Sequence, residues 1–167
     1  MVVMLDTGER EFGRFMANRR RERSAAAWRK DRLVGDDDYK MEKEILGACG
    51  ELAFTTAFNL SPDMKDQSGG ADAVLPGGQT VDVKTTSNLF SGLRVSGIAE
   101  KFDVYVLVRQ ISVKRFYIRG WAWGEEVRAS PLHAGKPDYH YMPPSRLRNC
   151  NCKNFFEGRN RSELPAA

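Results

Sequence analysis

The sequence predicts an α/β (α+β) protein in which two helices precede a sheet. Two long stretches before residue 60 carry apolar side chains at helical spacing. They are followed by short β-branched and aromatic runs bounded by Pro and Gly, a pattern that is typical of strands. This change of apolar period along the chain predicts a sheet with helices packed against it.

Length and composition are those of one globular domain. The chain has 167 residues, of which 41% are apolar and 29% are charged, and this length is enough for a sizeable core. No apolar run approaches the ~20 residues that a membrane span needs. The N-terminus lacks the apolar segment and cleavage site of a signal peptide. We therefore expect a cytoplasmic protein without a membrane partner.

The cysteines indicate neither a disulfide framework nor a metal cluster. Three are present, Cys49, Cys150 and Cys152, and an odd number without a secretory signal argues against disulfides. The spacing of Cys150 and Cys152 is not that of a zinc site. Iron–sulfur ligation usually requires four cysteines. No small-molecule cofactor is expected.

The first predicted helix, residues 6–33, concentrates the positive charge of the chain. Residues 9–32 contain nine basic and four acidic residues, whereas the net charge of the whole chain is +4. Such a helix suits a nucleic-acid backbone, but a solvated basic face or a dimer interface through the Phe12–Met16 stripe is also compatible with the pattern. The side chains predicted here to contact phosphates are Arg19, Arg20, Arg21, Arg23, Arg29 and Lys30.

The second predicted helix, Tyr39–Asn59, carries an apolar stripe on one face and glutamates on another. Three consecutive aspartates before it favour a helix N-terminus. The stripe consists of Ile45, Cys49, Leu52 and Thr56. Glu51 shares its face with small residues, including Gly47 and Ala48. We therefore expect this face to pack closely against the following strands.

The segment Gly69–Thr86 predicts a hairpin of two short strands, Asp72–Leu75 and Gln79–Thr86. A three-residue loop, Pro76-Gly77-Gly78, places Asp72 opposite Asp82, with Gly78 in the left-handed position that such a loop requires. A two-residue loop would send Asp72 to the other face, so the first register is the prediction. Because side chains alternate along a strand, Lys84 then lies on the same face as both aspartates.

Two facing carboxylates repel one another unless a proton or a cation lies between them. Aspartate oxygens are suitable ligands for Mg²⁺, which commonly takes one or two protein carboxylates together with phosphate and water. A neighbouring lysine stabilises negative charge on a phosphate or holds a water molecule. Asp72, Asp82 and Lys84 are therefore predicted to cleave phosphodiesters, although a solvated hairpin face is the simpler alternative.

The series Asp72…Asp82-Val83-Lys84 resembles the PD-(D/E)xK nuclease signature, with Gly70-Ala71-Asp72 in place of the Pro-Asp element. Its layout is most similar to small phage-type nucleases and archaeal Holliday junction resolvases of that superfamily. The resemblance spans roughly residues 44–123. It implies that Glu51 completes an acidic triad, that the Val83 carbonyl is a backbone metal ligand, and that Mg²⁺ (Mn²⁺ as substitute) is the cofactor.

The same resemblance implies a fold and a domain organisation. The expected core is restriction-endonuclease-like, with αβββαβ order and a central mixed sheet flanked by helices. It would occupy residues 36–156, after a basic helical extension at 1–35 and before a mobile tail at 157–167. The host would be a bacterial, archaeal or phage-infected cell.

Two further strands and two loops are predicted after the hairpin. Phe102–Val108 is apolar on both faces, as in a buried strand, and Phe116–Trp123 is a second strand with a bulge at Arg119-Gly120. Thr85–Gly97 lines the substrate groove, with Arg94 reaching a phosphate, or is a plain connection. Pro131–Pro144 is expected to be a loop.

The sequence thus predicts a metal-dependent endonuclease acting on DNA, with branched or junction DNA as a candidate substrate. The alternatives are a nucleic-acid-binding protein without cleavage activity and a subunit of a larger complex. A junction-cutting enzyme would be a homodimer, whereas a nicking enzyme could be a monomer. RNA is a further possible substrate.

Overall fold

A computed structural model describes residues 1–26, 36–62, 70–96, 102–135 and 138–150 of the chain. Two helices cover one face of a five-stranded mixed sheet, and a small second sheet with a short helix covers the other face. The predicted mixed α/β class is therefore confirmed. None of the helices in these ranges is long and apolar enough to cross a membrane.

The elements are bounded as follows. The first half contains β1 (Val2–Met4), α1 (Thr7–Ala26), α2 (Asp37–Phe58), β2 (Ala73–Val74) and β3 (Thr80–Thr86). The second half contains β4 (Leu93–Ser96), β5 (Val104–Ser112), β6 (Arg115–Trp123), α3 (Gly124–Arg128), β7 (Leu132–His133) and β8 (Tyr139–Met142). A single 3-10 turn, Pro144–Arg146, follows β8.

The main sheet has the strand order β1-β6-β5-β3-β2. Only β3 and β5 run parallel, and the other neighbours are antiparallel. The second sheet has the order β4-β8-β7 and is antiparallel. Helix α3 has only five residues, and the strands that follow it belong to the second sheet. The observed element order therefore does not establish the αβββαβ core that the resemblance implies, which stays a prediction.

Strand β5 is the centre of the protein and is buried on both faces, as its apolar run predicted. Val104, Val106 and Val108 belong to the core beneath the helices, whereas Tyr105 and Leu107 belong to the core beneath the second sheet. The predicted bulge in β6 is also confirmed, because the pairing shifts by one residue at Arg119.

Helix α1 packs against α2 through small residues. Ala17 is buried, and a Cβ on Gly13 would lie 2.8 Å from the Cys49 sulfur. Met16 of the predicted stripe is buried, but Phe15 is 48% exposed. The helix begins with a reciprocal cap, since the backbone N–H of Glu9 donates to Asp6 and that of Asp6 donates to Glu9.

Helix α2 confirms the predicted start and most of the predicted stripe. The Asp36 side chain accepts the Tyr39 N–H at 2.8 Å and caps the helix. Cys49 and Leu52 are buried, whereas Thr56 is exposed. The segment predicted as an N-terminal extension also contributes to this fold, because β1 pairs with β6 and Leu5 is in the core.

The small residues of α2 do allow a close approach to the hairpin, but the contact is at Gly50. A Cβ there would lie 1.9 Å from the Thr85 hydroxyl oxygen, whereas a Cβ on Gly47 would meet nothing within 4 Å. The predicted close packing of small residues beside Glu51 is therefore found at Gly50, and it is wrong only for Gly47. The face that meets β3 is the face of Gly50, one helical step away.

The prediction of a loop over Pro131–Pro144 was also wrong. This segment contributes β7 and β8, which pair with each other and with β4. Leu93, Val95 and Met142 bury one face of this sheet against Leu107 of the main sheet. Because these strands have only two to four residues, they carry too little alternation to be recognised from sequence.

Candidate active site

The hairpin has the predicted register. Ala73 pairs with Val81 and Val74 with Thr80, so Asp72 stands opposite Asp82. The loop is Pro76-Gly77-Gly78, closed by a hydrogen bond of 2.9 Å from the Leu75 N–H to the Gln79 carbonyl. Gly78 has a φ of 84°, in the left-handed region. The three-residue loop therefore fixes which face carries the acids.

Asp82 and Lys84 lie together on the face of β3 that points away from the helices. Val81 precedes Asp82 in the strand and Val83 lies between Asp82 and Lys84. Both valines are buried in the core beneath α2. The Lys84 ammonium donates to Asp82 Oδ1 at 2.9 Å and lies 2.7 Å from Oδ2. Asp82 is only 8% exposed, and the Lys84 ammonium contacts its buried Oδ2 as an ion pair without hydrogen-bond geometry. Because a carboxylate oxygen has two lone pairs, Oδ2 can accept a cation or a second donor in addition to this contact.

Asp72 lies where the ladder between β2 and β3 ends. Its backbone N–H donates to the Val81 carbonyl at 2.8 Å, one residue out of step with the pairing of Ala73 and Val81. Its carboxylate Oδ2 then accepts the Val83 N–H at 2.7 Å, in place of a further main-chain partner. Asp72 is thereby held beside Asp82 by the backbone of β3. The predicted role of the Val83 carbonyl as a metal ligand stays a prediction.

Negative charge accumulates around Asp72. Burial raises the pKa of this carboxyl well above its usual range, and the charges of Glu51 and Asp82 raise it further. The hydrogen bond from Val83 and the charge of Lys84 act in the opposite direction, but less strongly. The folded protein therefore holds a proton on Asp72 more tightly than the unfolded chain does.

Glu51 is near this cluster but is held by an arginine of α1. Arg20 donates through both terminal nitrogens to the two carboxylate oxygens, at 2.7 and 2.6 Å. Glu51 is 7% exposed, and the Arg20 side chain is 31% exposed. Arg20 was predicted to contact a nucleic-acid backbone, and the structure places it against the candidate site instead of on an open basic face.

The other predicted phosphate contacts are dispersed. Arg19 and Arg23 are exposed on α1, and the Arg19 guanidinium lies 5.7 Å from the centre of the Phe15 ring. Arg21 pairs with Asp37 at 3.0 Å. Arg94 is exposed on β4, in the second sheet. Arg29 and Lys30 fall outside the described residues, as does the predicted tail at 157–167.

The predicted acidic triad is thus only partly assembled. Asp72 and Asp82 are neighbours and Glu51 is close enough to affect the pKa of Asp72. In the portion of the chain that the structure describes, no three acidic, histidine or cysteine side chains converge as a ready metal site. Glu51 and Asp82 each face a basic side chain of the same protein.

The chemistry of the donors nevertheless fits a hard divalent cation. Asp72 and Asp82 face one another where β2 pairs with β3, and the charge of Glu51 acts on Asp72. Mg²⁺ and Mn²⁺ prefer such oxygen ligands. A cation here would remove the repulsion that raises the pKa of Asp72.

Sequence reasoning missed two groups that position the site. One is Arg20, which was counted only as part of a basic helix. The other is Asp103, whose carboxylate accepts the backbone N–H and the hydroxyl of Thr80 at 2.9 and 2.8 Å. This clamp joins the start of β3 to the start of β5. Asp103 stands directly before a buried strand, which is the signal that could have identified it.

Comparison with known proteins adds no relative. No protein-family model matches the chain, and no curated protein matches it significantly. The resemblance to PD-(D/E)xK nucleases therefore depends on the residues and geometry described above.

Proposed function

We propose that this protein is a metal-dependent endonuclease that hydrolyses phosphodiester bonds in DNA. The observation that carries the proposal is the meeting of Asp72 and Asp82 on paired strands, with the Lys84 ammonium 2.9 Å from Asp82. Their order and shared face are those that the nuclease signature requires. The repulsion between these carboxylates opposes folding, which favours a functional reason for it.

Each residue has a distinct role in this proposal. Asp72 and Asp82 would hold Mg²⁺ or Mn²⁺, and the chemistry such a cation would supply is activation of water and stabilisation of negative charge on the phosphate. Lys84 holds the attacking water or neutralises the attacked phosphate. Glu51 adds negative charge beside Asp72, and Arg20 fixes the orientation of its carboxylate through two hydrogen bonds.

Cleavage assays on linear duplex, single-stranded and four-way-junction DNA test this function. With Mg²⁺ present, Lys84→Ala should reduce the cleavage rate by about 10²–10³-fold, because a charge at the reacting phosphate is lost. Lys114→Ala removes a lysine that is exposed in the turn between β5 and β6, and it should leave the rate unchanged. EDTA should abolish cleavage by the parent protein.

The proposal fails if Lys84→Ala cleaves as fast as the parent protein. Cleavage that persists in EDTA would exclude the metal. The preferred substrate among the three DNA forms would show whether branched DNA is recognised, and light scattering would show whether the protein is a homodimer.

A binding protein or complex subunit without cleavage activity is the second candidate. Its specific support is that Glu51 and Asp82 both face basic side chains of the same chain, as in ordinary structural ion pairs. Such a protein would bind DNA with an affinity that falls steeply with salt. It would cleave none of the three DNA forms with any divalent cation.

A further inference from the structure

The second sheet carries a pocket that the proposed catalytic residues do not use. Its volume is about 270 Å³, close to the lower limit for small-molecule sites. We refer to it as the aromatic pocket. Its main lining residues are Asn88, Phe90, Arg94, His133, Tyr139 and Tyr141.

Strand register places four of these side chains on one face. Arg94 of β4 stands opposite Tyr141 of β8, and Tyr139, two residues before Tyr141, stands opposite His133 of β7. Residues two apart on a strand share a face. The opposite face is the apolar one that packs on the main sheet. The pocket is therefore the outward face of a sheet whose other face is core.

The side chains on this face are stacked on one another. The Arg94 guanidinium lies 5.1 Å from the centre of the Tyr139 ring. The His133 ring stacks on Tyr139 with centroids 5.5 Å apart and an angle of 14°, and it meets the edge of Tyr141 at 5.7 Å. This arrangement presents planar groups and one fixed positive charge at the surface, which is the chemistry that binds stacked bases and their phosphates.

Phe90 completes the pocket from the loop after β3. Its side chain is 82% exposed, although burial of a phenylalanine is strongly favoured in water. The loop is held by its own hydrogen bonds, since Asn88 accepts the Phe90 N–H at 2.8 Å and Thr86 accepts the Asn88 N–H at 3.1 Å. No other described residue stacks a ring on Phe90, so one aromatic face is available to a ligand.

The pocket is close to the proposed catalytic lysine. Asn88 follows Lys84 by four residues, so their Cα atoms are at most about 14 Å apart. Bases along one strand of B-DNA are separated by about 3.4 Å. A strand whose phosphate lies at Lys84 can therefore reach the pocket within about four nucleotides.

We propose that the aromatic pocket binds one unpaired base of the nucleic-acid substrate, stacked on Phe90 and the neighbouring aromatic side chains, with Arg94 on an adjacent phosphate. This inference extends the proposed nuclease function to substrates that expose an unpaired base. A paired base cannot enter, because its faces are covered by its neighbours in the duplex. The pocket thus selects single strands, bulges or junctions rather than intact duplex.

The test measures binding in EDTA, where metal-dependent cleavage cannot interfere. Fluorescence anisotropy is recorded on a duplex and on the same duplex with one bulged 2-aminopurine. Phe90→Ala should weaken binding of the bulged probe by about 5- to 100-fold, because stacking on one aromatic side chain is lost. Binding of the plain duplex should be unchanged. Met4→Ala, which removes a 68% exposed apolar side chain from β1, should leave both affinities unchanged.

The fluorescence of 2-aminopurine provides a second readout, because stacking on an aromatic ring quenches it. Binding of the parent protein should quench the bulged base, and Phe90→Ala should remove the quenching. Equal affinity and equal quenching for parent and Phe90→Ala would overturn the proposal, as would the absence of any binding by the parent. Cleavage by the parent in Mg²⁺ is measured separately. The nuclease function can therefore be supported when base binding in the pocket is disproved, and base binding can be supported when no cleavage is found.

Discussion

Two buried carboxylates among the described residues, Asp82 and Glu51, each face a basic side chain, and they are held in different ways. Asp82 faces Lys84, two residues along the same strand, and the Lys84 side chain is 38% exposed. Glu51 of α2 accepts two hydrogen bonds from Arg20 of α1, which lies 31 residues earlier in the sequence. A flexible ammonium can leave its partner readily, whereas a bidentate guanidinium holds a fixed geometry. Asp82 is therefore suited to bind a cation, and Glu51 is suited to shape the field around it.

The largest expected difference between Asp82 and Glu51 is in the loss of metal affinity when each carboxylate is removed. Asp82→Asn removes a proposed ligand and should weaken Mn²⁺ binding by more than about 100-fold, whereas Glu51→Gln should cost only about 10-fold, as for a residue that supports the ligands. Isothermal titration of Mn²⁺ into each variant measures the difference. Equal losses would show that Glu51 is a direct ligand, and no loss in Asp82→Asn would exclude the proposed site.

The stability of the fold should depend more on the pair of Glu51 and Arg20 than on the pair of Asp82 and Lys84. Arg20→Ala leaves the Glu51 carboxylate buried without its partner and should lower the free energy of unfolding by about 1–3 kcal/mol, a range that allows for the partial exposure of Arg20. The melting temperature should fall by about 2–12 °C. Arg19→Ala, on the exposed face of the same helix, should change it little.

A double variant identifies the cause of this loss. Arg20→Ala combined with Glu51→Gln removes both charges, so it should recover much of the lost stability. A double variant as unstable as Arg20→Ala alone would show that packing of the arginine stem, and not the uncompensated charge, was responsible.

The smallest expected effect concerns Asp72 and depends on pH. Its raised pKa means that the proton is held more tightly in the folded than in the unfolded protein. The resulting stabilisation is complete below the usual pKa of aspartate and is lost as pH rises through the folded pKa. Asp72→Asn should therefore match the parent in acid and melt at a higher temperature near pH 7 in EDTA.

Each kcal/mol of relieved repulsion corresponds to about 2–4 °C in a domain of this size. Glu11→Gln, at an exposed position on α1, serves as the control and should have no such pH-dependent gain. A parent protein that is more stable than Asp72→Asn at neutral pH would contradict the assignment of repulsion at this site.

The contrast between the two ion pairs also shows which parts of the structure can be predicted. The hairpin register follows from loop length and from Gly78, so local chemistry was sufficient to place Asp72 opposite Asp82. Strand β5 was predictable because both of its faces are apolar. The partner of Glu51 was not predictable from the sequence, because Arg20 is one of several arginines on its helix and only tertiary packing selects it.

The second sheet was missed for a related reason. Its strands have two to four residues, and Tyr139, His140 and Tyr141 of β8 lie in a segment bounded by prolines. Such a segment has loop composition by local criteria. Pairing with the distant strand β4 makes it a sheet, and this pairing leaves no periodic signal.

The close contact between Gly50 and Thr85 has a consequence for the speed of events at the site. Because the Thr85 side chain packs directly on the Gly50 backbone, with no room for a side chain at residue 50, α2 and β3 are in close contact beside Glu51 and Lys84, which adjoin Gly50 and Thr85 in the sequence. Rearrangement around an incoming cation then involves rotamer changes of the Arg20 and Lys84 side chains. Such changes take picoseconds to nanoseconds at exposed positions, whereas segment motions take microseconds or longer. We therefore expect metal entry to be limited by diffusion and dehydration of the ion, with no slow conformational phase.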